Sequence, residues 1–166
     1  MPNWVRNHVE FGTDKVLKDC IDKKGEFDFN KILPMPKVLD EDGGFDKMTQ
    51  EERLLFLRDN DNCNDWYSWH THFWGTKWNA NETQVIDDCT VEFDTAWNMP
   101  DEIFKAISKK YNTSINVKYA DEDLGSNCGT CVYENGEETS WEDGDRDFAE
   151  KIWGWGDEEE EGGDMG

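Results

Sequence analysis

Residues 89–119, CTVEFDTAWNMPDEIFKAISKKYNTSINVKY, decide the predicted fold of this chain. Apolar and polar residues alternate over 89–94, and this period of two predicts a half-buried strand. Pro100 then begins a helix, since proline suits the first helical turn, and the apolar residues of 103–111 recur along one face. The alternation returns over 114–119, so the stretch predicts a strand, a helix and a second strand.

A similar pattern precedes this stretch. Alternation over 4–11 predicts a first strand, in which the inward-facing Asn7 needs a polar partner. A helix with one apolar face should follow that strand and end near Gly25. Alternation over 27–32 predicts a second strand, which Pro34 would stop because proline cannot donate to a strand ladder.

Together these elements predict a ferredoxin-like α+β fold. The order βαββαβ is satisfied by an antiparallel sheet with two helices on one face. Residues 37–83 form an aromatic-rich insertion, in which Thr49 and Glu52 match a capping box at the start of a short helix. We expect a buried aromatic seam to pack this insertion onto the sheet, because so many large rings cannot all stay in water. The residues of the aromatic seam are Trp66, Trp69, Trp74, Trp78 and Trp97.

The C-terminal part adds a hairpin and a helix to this core. Residues 128–133 and 139–141 are predicted strands. Asn135-Gly136 between them is a strong hairpin signal, because the tight turn needs positive φ angles. Asp145 can cap a last helix that has an apolar face.

Five motifs occur in this order: Met1–Val5, Phe27–Pro36, Trp74–Asn79, Phe93–Trp97 and Tyr119–Gly125. These motifs resemble the YubB-type ferredoxin-like domain family, which is found mainly on bacteriophages, plasmids and other mobile elements. The resemblance runs through most of residues 1–140. It implies a ferredoxin-like domain, in agreement with the pattern of elements, and it implies no particular reaction.

Composition and charge exclude several function classes. The chain has 166 residues, with 39 acids and 17 bases, for a formal charge of −22 and a pI near 4.3. Such a charge excludes nucleic-acid binding through a basic face and disfavours contact with anionic membranes. No segment predicts a membrane span or a signal peptide, and five cysteines, an odd number, indicate reduced thiols. We therefore expect a cytoplasmic protein with one domain over 1–155 and an acidic disordered tail over 156–166.

Negative charge is concentrated toward the C-terminus, where 17 acids and only two bases occur from Asp121 onward. Carboxylates at this density, held on a sheet and a helix, can imitate the phosphates of a nucleic acid toward a basic protein. We therefore expect a non-enzymatic phage or mobile-element accessory protein that binds a host protein through its basic nucleic-acid-binding surface. The host protein would be a defence nuclease of the restriction or CRISPR type. The predicted partner-binding residues are Asp121, Glu122, Asp123, Glu134, Glu137, Glu138, Glu142, Asp143, Asp145 and Asp147.

Two alternatives stay open. The acidic surface can be merely solubilising, in an accessory domain of unknown role. The loop Asp121-Glu122-Asp123 can instead hold a hard cation in a metal-dependent enzyme, although a solvated turn is the commoner interpretation of such a charge run. A zinc site would need Cys128 and Cys131, completed by His70 and His72 or by Cys63 and Cys89, and a single paired-cysteine motif favours small core residues instead. We expect no cofactor and favour a binding protein over an enzyme.

Overall fold

The computed structural model describes residues 2–155, which form one six-stranded antiparallel sheet and five α-helices. The strands are β1 (Trp4–Phe11), β2 (Asn81–Asp87), β3 (Thr90–Ala96), β4 (Ile115–Asp121), β5 (Cys128–Glu134) and β6 (Glu137–Asp143). The helices are α1 (Lys15–Cys20), α2 (Gln50–Asp59), α3 (Trp66–Phe73), α4 (Asp101–Lys110) and α5 (Arg146–Trp153). Two short 3-10 helices lie at Phe29–Lys31 and Lys37–Leu39.

The strand order confirms the predicted ferredoxin-like fold. Neighbouring strands follow the order β2-β3-β1-β4-β5-β6. β1 lies between β3 and β4, antiparallel to both, with Val5 opposite Thr95 on one side and Asp121 on the other. The first four strands, with α1 and α4, complete the βαββαβ unit. The β5–β6 hairpin extends the sheet and turns at Asn135-Gly136, whose φ angles are 52° and 85°.

The predicted second strand over 27–32 is wrong, because this segment forms the 3-10 helix Phe29–Lys31. The Asp28 side chain accepts a hydrogen bond from the amide of Asn30 at 3.0 Å, so a local polar group satisfies this backbone instead of a strand partner. The edge position beside β3 is taken by β2, which begins at Asn81, inside the range predicted for the insertion.

Aromatic rings dominate the core between the sheet and the helices α1 and α4. Phe27 stacks on Phe93 with ring centroids 5.1 Å apart, and the buried Trp74 packs edge-on against Phe29 at 5.5 Å. Because each buried ring removes roughly 150–250 Å² from water, a few rings let so acidic a chain build a core. Asn7 is fully buried, and its Nδ2 donates to two backbone carbonyls and a threonine hydroxyl, whereas its Oδ1 is buried without a hydrogen-bond partner among the described residues.

The last helix lies on the opposite face of the sheet. Residues of α1 and α4 share one core with inward side chains of β1 and β4, whereas Ala149 of α5 packs with Ala120 and Cys128 in a separate cluster. Since successive strand residues point to opposite faces, Ala120 faces away from the core that Tyr119 joins. The Trp153 indole donates to the Ala120 carbonyl at 3.0 Å, which anchors α5 on this second face.

The insertion contributes the helices α2 and α3. The predicted capping box is present, because Thr49 and Glu52 exchange hydrogen bonds of 2.9 and 3.1 Å between side chain and backbone. Within residues 2–155, no helix is long and apolar enough to cross a membrane. The acidic tail predicted over 156–166 lies outside the described residues.

Candidate functional site

The outermost strand, β6, carries four of the predicted partner-binding acids. All seven of its residues are exposed, and it pairs with β5 on one side only. Glu137, Glu138, Glu142 and Asp143 lie on this strand. Because neighbouring strand residues alternate between the two faces, these carboxylates flank the sheet edge on both sides. We call the segment Glu134–Asp147 the acidic edge.

Three further predicted acids lie at the end of β4 and in the loop that follows it, where each of them accepts a hydrogen bond. Asp121 is 7% exposed and accepts hydrogen bonds from the Asn127 side chain and from the amide of Asp123. Glu122 accepts from the amide of Trp4 at 2.7 Å, and Asp123 accepts from a serine hydroxyl at 2.9 Å. These carboxylates therefore shape the turn, which weakens the alternative of a cation-binding loop.

The loop and the acidic edge meet around Cys128. The Cys128 thiol contacts the backbone carbonyl of Asp145 at 3.7 Å. Burial raises the pKa of this thiol, and the charges of Asp145, Asp143 and Asp121 raise it further. The ten predicted acids therefore form one band, which runs from the β5–β6 turn along β6 to the start of α5 and the β4–β5 loop. Nine of the ten are exposed, and Asp121 is buried.

Few cations neutralise this band. Arg146 pairs with Glu150 at 3.1 Å on α5, and this is the only ion pair within residues 121–155. Lys109 of α4 lies beside the β5–β6 turn, where its side chain would be 3.4 Å from a Cβ atom added at Gly136. The other carboxylates of residues 121–155 have no cationic side chain of the described chain within 4.0 Å.

The residues of the zinc alternative do not converge. Cys128 and Cys131 are three positions apart on β5, so their side chains point to opposite faces of the sheet. Burial raises the pKa of the Cys131 thiol to about 12. His70 stacks on the buried Trp74 ring at 3.9 Å, whereas His72 is exposed and pairs with an aspartate at 3.0 Å. Within residues 2–155, no group of three or more His, Cys, Asp or Glu side chains could hold a metal ion.

The predicted aromatic seam is only partly buried. Trp69 and Trp74 are 4% and 1% exposed, and they pack the insertion onto the core as predicted. Trp78 is half-buried, and Trp66 and Trp97 are 39% and 38% exposed. An asparagine of the β4–β5 loop donates to the Trp97 carbonyl at 3.0 Å, so the exposed rings lie at the same end of the sheet as that loop.

The sequence pattern did not reveal two features near this end. Tyr67, 43% exposed, connects Trp66 and Trp97, with ring centroids 5.9 and 6.4 Å away. A pocket of about 450 Å³ is lined by residues 38–46 together with Asp65 and Trp66. One sequence signal could have predicted the exposed rings: Trp66 and Tyr67 are adjacent at the start of α3, and neighbouring helix residues cannot both face a core. The acids of residues 40–46 matched no motif.

Comparison with known proteins assigns the chain to a family. A sequence model described as "Ferredoxin-like domain in Api92-like protein" matches residues 73–164, more than half of the chain. The chain belongs to this family. The matched part of this Api92-like domain includes the acidic edge, whereas β1, α1 and α2 lie before it.

The domain is also similar to a solved structure, the crystal structure of protein api92 from Yersinia pseudotuberculosis. The sequence identity is 17% and the TM-score 0.42, over 49% of this chain and 31% of that chain. No curated protein matches the chain. The resemblance to YubB-type domains and an origin on phages or plasmids stay predictions.

Proposed function

We propose that this Api92-like domain binds a partner protein that carries a basic nucleic-acid-binding surface, with the acidic edge as the contact. The function is binding rather than catalysis. The partner is a host defence nuclease of the restriction or CRISPR type, which the domain inhibits by imitating nucleic acid. The resemblance to YubB-type domains of mobile elements supports this partner class, because such elements meet these nucleases in their hosts.

The observation that carries this proposal is the uncompensated line of carboxylates on β6. Four of the seven residues on this exposed strand are acidic, and the described chain places no cationic side chain within 4.0 Å of them. A strand advances about 3.3 Å per residue, so its backbone sets the spacing of these charges. Charges fixed in this way steer a basic partner and favour one orientation of it.

The same acids also suit a second role, which is protection of the sheet edge. β6 is an edge strand, and charged side chains hinder unwanted pairing of its free backbone groups with other chains. Trp141, 54% exposed in the middle of this strand, favours binding instead, because tryptophan is enriched in protein interfaces and adds nothing to such protection.

Two charge-matched variants separate these roles. The acidic-edge variant combines Glu137→Gln, Glu138→Gln and Glu142→Gln, and a control variant carries three matching changes at exposed acids outside the acidic edge. Each variant loses three negative charges, so the general attraction toward a basic protein falls equally in both. Calorimetry measures their affinities for a panel of purified restriction and CRISPR-type nucleases, with and without duplex DNA. The control variant neutralises three exposed acids elsewhere, with the changes Glu51→Gln, Asp59→Asn and Asp88→Asn.

We expect the unaltered protein to bind at least one nuclease in competition with DNA. Its affinity should fall about tenfold or more between 50 and 250 mM salt, since screening weakens contacts between charged surfaces. The acidic-edge variant should bind at least about tenfold more weakly than the control variant. Equal losses in the two variants, or no binding to any nuclease of the panel, would overturn the proposal.

A further inference from the structure

Three aromatic side chains form an exposed patch beside the β4–β5 loop. Trp66 and Tyr67 come from the first turn of α3, and Trp97 follows β3. They are 39%, 43% and 38% exposed, and edge-to-face contacts connect them in the order Trp66, Tyr67, Trp97. We call these three residues the aromatic patch. Contiguous exposed rings indicate a contact surface, because tryptophan and tyrosine dominate the binding energy of protein interfaces.

The backbone at Trp97 is held in a strained conformation. Its φ angle is 67°, in the left-handed region that bulky side chains rarely adopt. The Trp97 amide donates to the carbonyl of Asn3 at 2.9 Å, and the Asn127 side chain donates to the Trp97 carbonyl at 3.0 Å. Such strain is concentrated at functional sites. The chain therefore places this indole at the surface against a local energetic preference.

Cationic side chains already rest on tryptophan rings in this part of the molecule. The Lys77 ammonium nitrogen lies 4.4 Å from the ring centroid of Trp78 and 4.6 Å from that of Trp97. The Arg6 guanidinium lies 4.4 Å from the ring centroid of Trp153. Cation–π attraction stabilises each such pair. Within the aromatic patch, the Trp97 indole thus already accepts a cation above its ring.

An acidic pocket adjoins the aromatic patch at Trp66. The pocket has a volume of about 450 Å³, and Trp66 and Phe45 form its aromatic wall. A guanidinium fits such surroundings, since it stacks on aromatic faces and donates paired hydrogen bonds to carboxylates. The lining contains no lysine or arginine among the described residues, and its five acids are Asp40, Glu41, Asp42, Asp46 and Asp65.

We propose that the aromatic patch, with the acidic pocket beside it, is the docking site for an arginine-bearing segment of the partner protein. This inference rests on the proposed function for a basic partner and names a contact that the acidic edge does not supply. Charge complementarity selects the occupant, because a second copy of this chain, at −22, would be repelled. Asn127 bonds both Trp97 and Asp121, so the patch continues into the acidic band and one partner spans both.

Two peptides of equal charge, hexa-arginine and hexa-lysine, separate this docking site from general electrostatic attraction. Each is titrated into the full chain at 150 mM salt, with calorimetry and the indole N–H resonances as readouts. We expect hexa-arginine to bind at least about fivefold more tightly, because a guanidinium stacks on rings and is less strongly hydrated than an ammonium. The indole resonances of Trp66 and Trp97 should shift on binding.

Trp66→Ala and, separately, Trp97→Asn should abolish this preference, so that the two peptides bind within about twofold of each other. Asparagine tolerates a positive φ angle, so Trp97→Asn keeps the local backbone. Trp155→Ala is the matched control, because it removes a 47% exposed indole that belongs to neither the aromatic patch nor the acidic edge, and it should leave the preference unchanged. The urea midpoint of each variant checks that it is folded.

Equal binding of the two peptides to the unaltered protein would overturn this inference. A preference for hexa-arginine that survives both Trp66→Ala and Trp97→Asn would do the same. Neither result concerns the acidic edge, whose nuclease binding is measured separately. A retained hexa-arginine preference without nuclease binding would reject the proposed partner class and support the arginine-docking site.

Discussion

The absence of a side chain at Gly129 allows β6 to lie close to β5. A Cβ atom added there would lie 2.3 Å from the carbonyl oxygen of Glu142, too close for any real contact. We expect Gly129→Ala to lower the free energy of unfolding by about 1–3 kcal/mol, measured by urea denaturation, because β6 must move away. Ser140→Ala, an exposed change on the same strand, should stay within about 0.5 kcal/mol. Equal stability of the two variants would contradict this close approach.

His70 gives the molecule a specific dependence of stability on pH. Its Nδ1 donates to the Lys77 carbonyl at 2.8 Å, while its Nε2 is buried without a partner among the described residues. Burial lowers the pKa of this imidazole, although the Lys77 carbonyl and the Asp40 charge act in the opposite direction. The unfolded chain therefore takes up a proton at higher pH than the native state. The free energy of unfolding should fall as the pH drops below about 6.5.

His70→Gln should remove this part of the pH dependence. Urea unfolding at pH 7.5, 6.5 and 5.5 should show a smaller loss of stability on acidification than in the unaltered protein. The control is His72→Gln, which replaces an exposed imidazole and should keep the full loss. Parallel pH profiles for His70→Gln and the unaltered protein would count against a neutral His70 with a buried Nε2.

The stability of α2 depends more on the capping box at its first turn than on packing against the core. None of its residues is fully buried, and Leu54 and Leu55 are 62% and 47% exposed. Thr49→Ala removes one half of the capping box and should cost about 1 kcal/mol. Amide hydrogen exchange over 50–59 should then be about fivefold faster. Thr71→Ala, which removes a hydroxyl from α3, is the control, and unchanged exchange in α2 would refute this dependence.

The packing of α5 on the second face of the sheet relies on a small residue. Ala149 is fully buried against Ala120 and Cys128, which leaves no space for a longer side chain. Ala149→Leu should therefore lower the free energy of unfolding by about 1–3 kcal/mol in urea denaturation. Lys151→Leu makes the same substitution at an exposed position of this helix and should change little. If the two variants are equally stable, α5 does not pack as described.

For the whole molecule, repulsion between like charges opposes folding. Residues 2–155 hold 33 acids and 17 bases, so at least 16 carboxylates have no cation to pair with. The Debye length falls from about 30 Å at 10 mM salt to about 8 Å at 150 mM, which screens this repulsion. We expect the Tm to rise by about 2–4 °C over that range, which corresponds to about 1 kcal/mol. Sodium chloride and sodium sulfate at equal ionic strength should act alike, and a constant Tm would contradict the prediction.

The sequence by itself determined the elements whose pattern is local. Alternation over 4–11, 89–94 and 114–119 predicted β1, β3 and β4, because a strand that buries one face shows a period of two. The turn at Asn135-Gly136 was equally readable, since positive φ angles restrict the residue types. The sequence did not indicate which segment pairs with β3 at the edge of the sheet. Residues 27–32 alternate and form no strand, because side chains accept from their backbone amides: the local Asp28 from Asn30, and the remote Thr83 and Asn79 from Phe27 and Phe29.

Only the tertiary structure decided which charges and rings share a surface. The sequence supplied the acids as a group, and the fold then buried Asp121 and placed four of the others on the exposed edge strand β6. It also brought Trp66 and Tyr67 together with Trp97, about 30 positions away, although the sequence predicted a buried seam. The physical reason is that periodicity reports which side of one element is buried. Distances between remote residues depend on strand order, register and loop paths, which no local pattern contains.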